Sequence, residues 1–460
     1  MSDSVLNLAK LKSMTEVMSA ARTRLAYLFD EGTFTELDPY VTVGADLSGV
    51  ITAFGYVEGN PVYAFSQDIN VKKGALTEEQ AKKIVKVYDL AAKTGVPVVG
   101  VYDSFGADLN NGCKALNAYG ELLMWISNLS GVVPQISVVA GTCAGTAAML
   151  AESADFVIMT KDAQLYVAPN SDVKDYAENA AKNGTAAIVA ATDEEAVEAA
   201  KNLLLKLPQN NLSPVPMYEF ALPEVSFGKD AASQAEAVCD ADSVIELSAD
   251  FGKASYIALA SIGGATVGLI ATNKTDDKLA ADDCTKIARF VRICDAFAIP
   301  VVTLVDTEGF EADNAAETCG AVREMTKLAH AYAEATTIKL SVVTGKAYGP
   351  AFIALAGKGA NADLVYATSD AVISALNPIT AVEFLEHDSL KGAENLTAER
   401  NALADKYAKE QANSAIAAQN GCVDNVIEAA QLRDALINAI EIMAGKRISR
   451  LPKKHSNIQL

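Results

Sequence analysis

The 460-residue chain has little histidine, little tryptophan and few positive charges. It contains three histidines, one tryptophan, and 38 lysines and arginines against 58 aspartates and glutamates, for a formal net charge of −20. Because nucleic acids are bound by basic surfaces, this acidity predicts no nucleic-acid partner. The three histidines, at positions 330, 387 and 455, are scattered. They therefore predict neither a zinc site nor a Ser-His-Asp triad.

Sequence signatures of several other protein classes are missing as well. Seven cysteines occur without a CxxC pair, which is typical of reduced cytosolic proteins. There is no HExxH, GxSxG or Walker loop, and the charged amino terminus lacks the apolar core of a signal peptide. The uncharged run 122–151 carries Asn128, Pro134 and Gln135, so it predicts a buried strand and helix rather than a membrane span. We expect a cytoplasmic protein.

The length favours two domains. A single core stops growing at roughly 250–300 residues, and this chain has 460 residues, of which 50% are apolar. The proline-rich segment 207–230 is the best linker candidate. We therefore place an amino-terminal domain at residues 1–215 and a carboxy-terminal domain at residues 230–460.

One constellation of apolar runs and glycine turns occurs twice. GVPVVGVYDSFGAD and ISVVAGTCAGTAA in the first half are followed by AIPVVTLVDTEGFE and LSVVTGKAYGPAF in the second. Asp103 and Asp306 lie 203 residues apart, and Gly145 and Gly349 lie 204 apart. Chance apolar runs would not keep this register. The repeat predicts two copies of one α/β unit made of strand–helix repeats.

Local patterns predict several elements of these copies. A helix over TEEQAKKIVKVYDLAAKTG would have Thr77 as its N-cap and Gly95 just past its end. The runs ITAFGYV and NPVYAFSQD, joined by Glu58-Gly59, predict a β-hairpin. In the second copy, Asp282 or Asp283 is the expected helix cap, and residues 384–445 look largely helical.

Glycine follows two apolar runs in each copy. Glycine permits close backbone approach and positive φ, and a helix that starts just beyond it leaves N–H groups unpaired. Two such N–H groups aimed at one point form an oxyanion hole. A single turn of this kind would more simply serve tight strand–helix packing. Four turns in two-fold correspondence instead favour catalysis by backbone electrostatics.

These strings resemble a known family. GNPVYAFSQDINVKKGAL, SGVVPQISVVAGTCAGTAAM, ARFVRICDAFAIPVVTLVDTEGF, KAYGPAFIAL and the terminal PKKHSNIQL resemble the carboxyltransferase subunit of biotin-dependent acyl-CoA carboxylases and decarboxylases, of the propionyl-CoA carboxylase beta and methylmalonyl-CoA decarboxylase alpha type. The resemblance runs from about Arg22 to Leu460. It implies an α/β fold of tandem crotonase-like (ClpP/crotonase) domains related by internal duplication. It also implies a homo-oligomer, a dimer or a hexameric ring of dimers, with the active site between domains of different subunits.

The resemblance implies a reaction and its partners. A carboxyl group would pass between biotin N1′ of carboxybiotin, on the carboxy-terminal domain, and the α-carbon of a short coenzyme A thioester, on the amino-terminal domain. The chain has no Met-Lys biotinylation pair and no ATP-binding loop, so biotin would arrive on a separate biotin carboxyl carrier protein. The other partner would be a biotin carboxylase, or a membrane decarboxylase subunit of a sodium-pumping complex to which the chain would be peripheral. The direction of transfer stays open.

Candidate site residues follow from matching the family's turns onto this sequence. The thioester-oxyanion set is Gly106, Ala107, Gly145 and Thr146. The set for the biotin ureido oxygen or its carboxylate is Gly309, Phe310, Gly349 and Ala351. Ile353 matches the position that lines the acyl end of the pocket, where an apolar residue suits a short alkyl chain. Lys346 is either an anion ligand or a solvated or helix-capping lysine.

Three departures from the family pattern concern these turns. Pro350 replaces a glycine and has no N–H, which leaves Ala351 as the obvious donor there. Asp108 stands where the family usually has arginine, which should disfavour an anion beside the first hole. Thr146 replaces a glycine and should narrow the acyl pocket. We expect an active carboxyltransferase with altered substrate choice; the alternatives are a non-catalytic paralogue or scaffold, or a hydratase or isomerase, which the lack of a glutamate pair at the turns disfavours.

Overall fold

The computed structural model describes residues 7–169, 172–448 and 450–458. The outer ends of the two expected domains, at residues 1–6 and 459–460, lie outside the described residues, as do the last two residues of the PKKHSNIQL string. The chain divides into two compact units, Met1–Pro214 and Val215–Leu460, and the division falls inside the proline-rich segment 207–230.

The first unit is a mixed β-sheet with helices packed against it. Its strands are β1 Thr35–Leu37, β2 Thr42–Val43, β3 Asp46–Leu47, β4 Val50–Val57, β5 Asn60–Gln67, β6 Val98–Ser104, β7 Gln135–Ala144, β8 Phe156–Thr160, β9 Gln164–Tyr166 and β10 Ile188–Ala190. Its helices are α1 Leu8–Thr15, α2 Ala20–Leu28, α3 Glu78–Thr94, α4 Cys113–Leu129, α5 Thr146–Glu152, α6 Tyr176–Lys182 and α7 Asp193–Lys206.

The second unit repeats the main sheet of the first and adds helices near its carboxy terminus. Its strands are β11 Ile245–Leu247, β12 Tyr256–Ile262, β13 Ala265–Ala271, β14 Val301–Thr307, β15 Lys339–Tyr348, β16 Leu364–Ala367, β17 Val372–Ser374 and β18 Asn425–Val426. Its helices are α8 Ala231–Val238, α9 Ala281–Ala296, α10 Asn314–Cys319, α11 Ala321–Glu334, α12 Gly349–Ala356, α13 Pro378–Leu385, α14 His387–Lys391, α15 Leu396–Gln411, α16 Ser414–Gln419 and α17 Leu432–Met443. Short 3₁₀ turns occur at 358–360 and 429–431.

The two sheets have the same topology. The first runs β1-β4-β5-β6-β7-β8-β10 with β9 on β7, and the second runs β11-β12-β13-β14-β15-β16-β18 with β17 on β15. In both, an antiparallel hairpin is followed by parallel strands. The central strand β6 is buried along its whole length and β14 nearly so, as expected where helices cover both faces of a sheet. The α/β class and the internal duplication predicted from the sequence are confirmed.

Most of the local predictions are confirmed, and one is wrong. Helix α3 has Thr77 as its N-cap, with Oγ1 accepting a hydrogen bond from the Gln80 N–H, and Gly95 ends it in the left-handed conformation. The predicted cap of α9 by Asp282 or Asp283 is wrong, because the helix begins at Ala281 after an extended Ala280. Asp283 lies one turn inside, where its carboxylate accepts the Ala280 N–H at 2.9 Å.

The duplication extends to one buried lysine in each unit. Lys83 on α3 and Lys286 on α9 are 97% and 96% buried, and they lie 203 residues apart. Lys83 Nζ donates to the Val50 carbonyl at 2.8 Å. Lys286 Nζ donates to three carbonyls within residues 251–255, at 2.8 to 3.1 Å. Burial lowers the pKa of each ammonium group to about 8.

Lys286→Met should change the pH dependence of the free energy of unfolding. The pKa of Lys286 is about 8 in the folded chain against an ordinary 10.5, so the unfolded chain binds more protons between these values and the wild type gains stability as pH rises. Relative to Lys286→Met, we expect the wild type to gain up to about 1.4 kcal/mol per pH unit in that window. Denaturant unfolding at several pH values measures this. The exposed Lys93→Met is the control, and parallel curves for wild type and Lys286→Met would contradict the assignment.

Candidate active site

The two glycine turns of the first unit meet where β6 and β7 end. Ser104 pairs with Cys143 across the two strands, after a register shift in which Asp103 of β6 lies opposite the extra residues 140–142 of β7. A Cβ added to Gly106 would lie 3.2 Å from the Ala144 carbonyl oxygen. The structure therefore brings the turn that contains Gly106 against the turn that starts at Gly145.

A buried aspartate fixes the ends of these strands. Asp103 is 5% exposed, and its Oδ1 accepts the Thr142 N–H at 3.2 Å. A Cβ on Gly141 would lie 2.3 Å from that same Oδ1, so only glycine lets the carboxylate sit under the strand. Arg24 on α2 holds the second oxygen, with NH1 3.1 Å from Oδ2.

The second unit repeats this arrangement without the arginine. Asp306 Oδ1 accepts the Lys346 N–H at 2.8 Å, and a Cβ on Gly345 would lie 2.3 Å from Oδ1. The register shift between β14 and β15 again falls at the aspartate. In the described part of the chain, however, no ion pair joins Asp306 to a cation, and the residue is partly exposed.

The first turn leaves one backbone N–H free. Leu76, just before α3, donates its N–H to the Gly106 carbonyl at 2.7 Å and accepts the Asp108 N–H at 3.0 Å. The Gly106 N–H donates to Ser104 Oγ at 3.1 Å. The N–H of Ala107, between these bonds, has no acceptor among the described residues, and Ala107 is partly exposed.

Thr146 supplies a second N–H of the first unit that has no acceptor among the described residues. It is the first residue of α5, so its N–H has no acceptor within the helix. It follows Gly145, which has a φ of +60°, a value that glycine adopts without strain. Thr146 is partly exposed, like Ala107. Two unpaired N–H groups on adjacent turns are the elements of an oxyanion hole.

The second unit has the same turn but fewer accessible donors. Leu279 donates its N–H to the Gly309 carbonyl and accepts the Glu311 N–H, both at 2.9 Å. As in the first unit, the N–H between these bonds, here that of Phe310, has no acceptor in the part of the chain that the structure describes. Helix α12 then starts at Gly349 with Pro350 in its first turn. Proline has no N–H, and the next residue, Ala351, has no exposed surface. The start of α12 therefore presents fewer accessible backbone N–H donors to a ligand than the start of α5.

The remaining candidates lie at the edge of these turns. Lys346 Nζ is 2.8 Å from Glu308 Oε1, directly before Gly309, and both side chains are about half exposed. The hydrogen bond to Glu308 raises the pKa of Lys346. Ile353 on α12 is 58% exposed. Asp108 is buried, and its carboxylate lies 2.9 Å from Lys72 Nζ, so its charge is balanced within the unit.

Sequence reasoning missed the residues that hold the turns in place. Leu76 and Leu279 fix the turns through backbone hydrogen bonds, and Lys72 pairs with Asp108. The two leucines lie 203 residues apart, so the spacing of the repeat could have identified them as equivalent positions. Lys72 has no counterpart in the second copy and left no such signal.

Other types of site are not seen in the described ranges. Within residues 7–169, 172–448 and 450–458, no group of three or more His, Cys, Asp or Glu side chains is placed to hold a metal ion. The same residues contain no helix with the length and apolar character needed to cross a bilayer.

Comparison with known proteins gives one consistent family. Residues 16–458 match the family model of the carboxyl transferase domain. The chain is 35% identical to the methylmalonyl-CoA decarboxylase subunit alpha of Propionigenium modestum, over 96% of this chain and 93% of that protein. It is 34% identical, with the same coverage, to the carboxyltransferase subunit of propionyl-CoA carboxylase from Haloferax mediterranei.

A solved structure agrees over the whole length. A crystal structure of transcarboxylase 12S with hydrolysed methylmalonyl-coenzyme A bound superposes with a TM-score of 0.90 at 32% identity. It covers 98% of this chain and 95% of that one. This agreement confirms the duplicated crotonase-like architecture expected from the sequence.

Gly141→Ala should lower the free energy of unfolding more than Gly345→Ala. Both add a methyl group 2.3 Å from an aspartate oxygen, but Asp103 is held by Arg24 whereas Asp306 can move aside. We expect a loss of about 2–3 kcal/mol for Gly141→Ala and about 1 kcal/mol for Gly345→Ala.

Denaturant unfolding measures both losses. The control is Gly359→Ala, where a Cβ would meet nothing within 4 Å. Equal losses for the two variants would show that Arg24 does not fix Asp103.

Proposed function

Because the chain belongs to the carboxyl transferase family, we infer that it is a biotin-dependent acyl-CoA carboxyltransferase. We propose that it moves a carboxyl group between carboxybiotin on a carrier protein and the α-carbon of a short acyl-CoA. The observation that carries this proposal is the pair of unpaired N–H groups, on Ala107 and Thr146, at adjacent turns of the first unit.

We assign the acyl-CoA thioester to the first unit. When the α-carbon loses or gains a carboxyl group, negative charge develops on the thioester oxygen. Fixed N–H groups stabilise that charge without having to reorganise. Ala107 and Thr146 provide such donors, while Gly106 and Gly145 allow the backbone to approach closely. This chemistry asks for no histidine at the turns, and none of the three lies there.

We assign the biotin end of the reaction to the second unit. The free Phe310 N–H, after Gly309, is the main donor to the biotin ureido oxygen. Gly349 and Ala351 flank Pro350. Because Ala351 is buried, its N–H is a weaker candidate donor to biotin than its position in the sequence suggests. Lys346 stands beside this turn with its charge offset by Glu308, and it supplies a cation for a carboxylate when that ion pair opens.

We propose a short acyl group as the substrate. The relatives are named for methylmalonyl-CoA and propionyl-CoA, and the side chain of Thr146 beside the thioester narrows the space for a longer chain. Ile353 is proposed to line the acyl end of the pocket. Its 58% exposure leaves an apolar surface for another subunit to cover.

Partners follow from the same reasoning. Transcarboxylase 12S is described as a hexamer assembly in a multienzyme core, and we propose a homo-oligomer here as well, served by a separate biotin carboxyl carrier protein. Sequence identities of 35% to a decarboxylase subunit and 34% to a carboxylase subunit do not separate the two directions of transfer. The carrier is therefore loaded by a biotin carboxylase or emptied by a membrane decarboxylase subunit.

Incubating the purified chain with a biotinylated carrier protein and malonyl-, methylmalonyl- or glutaconyl-CoA tests the function. We expect at least one of these thioesters to lose its carboxyl group, and only when biotin is present. Conversion of an enoyl-CoA without biotin would instead indicate a hydratase or isomerase. No turnover of any thioester, together with no acyl-CoA binding by calorimetry, would point to a scaffold.

Thr146→Pro tests the backbone donor itself. Proline is tolerated at the first position of a helix, where its missing N–H has no helical acceptor to lose, and Pro350 already occupies the first turn of the corresponding helix α12. We expect kcat to fall by about 10²–10³. Thr146→Ala keeps the N–H and is the matched control. Near-wild-type turnover of Thr146→Pro would rule out this N–H as an oxyanion donor.

Pro350→Gly should raise turnover. The substitution restores an N–H at the second turn, where Phe310 is the only free, partly exposed donor that we assign. We expect a several-fold gain in kcat, well below the full value of an oxyanion donor, because the Phe310 N–H already serves the same ligand. The assay is the same transfer reaction. Unchanged turnover would mean that another group already fills the role.

A further inference from the structure

Three consecutive residues before Leu76 have left-handed backbone. Lys72, Lys73 and Gly74 have φ values of 49°, 55° and 65°. Glycine adopts this conformation freely, whereas the two lysines pay a conformational cost for it. Such a segment persists only where its surroundings impose it.

Backbone contacts press this segment against the first oxyanion turn. A Cβ on Gly74 would lie 2.0 Å from the Asp103 carbonyl oxygen, so the chain passes closely over the end of β6. The Phe105 N–H donates to the Lys73 carbonyl at 3.2 Å. Leu76, at the end of the segment, makes the two hydrogen bonds that bracket Ala107. Any shift of the segment therefore moves the turn.

The Asp108 side chain ties the segment to the turn. Asp108 is 6% exposed, and its Oδ2 lies 2.9 Å from Lys72 Nζ. Its Oδ1 accepts the Asn110 backbone N–H at 3.0 Å and an Asn110 side-chain N–H at 3.3 Å, and Oδ2 also accepts an Asn111 side-chain N–H at 3.3 Å. The hydrogen bond from Lys72 lowers the pKa of Asp108, so the carboxylate stays charged.

The second unit lacks this arrangement. The spacing of 203 between Leu76 and Leu279 matches Asp108 to Glu311 and Lys72 to Thr275. Glu311 is exposed and forms no ion pair among the described residues. The residues that match 72–74 do not have positive φ. The ion pair is thus specific to the unit with two free N–H groups.

We propose that Asp108 is a positioning residue for the first oxyanion turn. With Lys72 it holds the left-handed segment in place, so that Leu76 fixes Gly106 and the Ala107 N–H keeps its direction. An arginine at position 108 would instead repel Lys72 and remove this ion pair. The inference rests on the function proposed for the first unit.

The test compares Asp108→Asn, Lys72→Met and Lys72→Gly in the full-length protein. Asp108→Asn should lower kcat about tenfold or more, because small misplacements of a catalytic group are costly, and leave the KM for acyl-CoA within about threefold. Lys72→Gly should keep several times more activity than Lys72→Met, because glycine adopts positive φ without strain. Asp89→Asn, in an exposed ion pair with Lys93 on α3, is the control and should match wild type.

Hydrogen exchange measured by mass spectrometry gives a readout that does not depend on turnover. We expect faster exchange in peptides over residues 70–78 and 104–110 for Asp108→Asn and Lys72→Met, with a smaller change for Lys72→Gly. Unchanged exchange in Asp108→Asn would overturn the proposal, whether or not the wild type transfers carboxyl groups. Equal kinetic losses for Lys72→Gly and Lys72→Met would also contradict it, because they would show that the left-handed backbone of the segment does not affect the position of the turn.

Discussion

A carboxylate placed under a glycine, once in each unit, is the constraint on which both candidate sites depend. Asp103 and Asp306 interrupt the pairing of the two central strands, and each accepts a backbone N–H from the neighbouring strand. Gly141 and Gly345 make room for them. Beyond each aspartate the two strands pair again, and the turns that follow them lie side by side. Only then can unpaired N–H groups from two different turns serve one ligand.

The two units use this scaffold differently. In the first, Arg24 secures the aspartate and an ion pair between Lys72 and Asp108 secures the turn. In the second, the aspartate has no such arginine, and proline replaces one backbone donor. Among the described residues, the first unit therefore has more ion pairs at its turns and more unpaired backbone donors. That difference agrees with assigning it the step in which charge develops on a thioester oxygen, where preorganised donors matter most.

The sequence predicted the duplication, the hairpin and the cap of α3 because each depends on neighbouring residues or on a spacing that both copies share. The cap of α9 was predicted wrongly, since Ala280 takes the N-cap position and Asp283 caps from inside the helix. The burial of Ala351 depends on how α12 packs. The Lys72–Asp108 pair joins residues 36 positions apart through a left-handed segment. Neither the burial of Ala351 nor the Lys72–Asp108 ion pair produces a local sequence pattern from which it could be predicted.

The central claim is that backbone N–H groups of Ala107 and Thr146 hold the thioester oxygen. Isotope-edited infrared spectroscopy of a short acyl-CoA labelled with ¹³C at the thioester carbonyl measures this directly. The account predicts that the carbonyl stretch of the bound thioester moves to lower frequency than in water, because two fixed donors polarise it. A bound thioester whose stretch lies at or above its frequency in water would contradict the account.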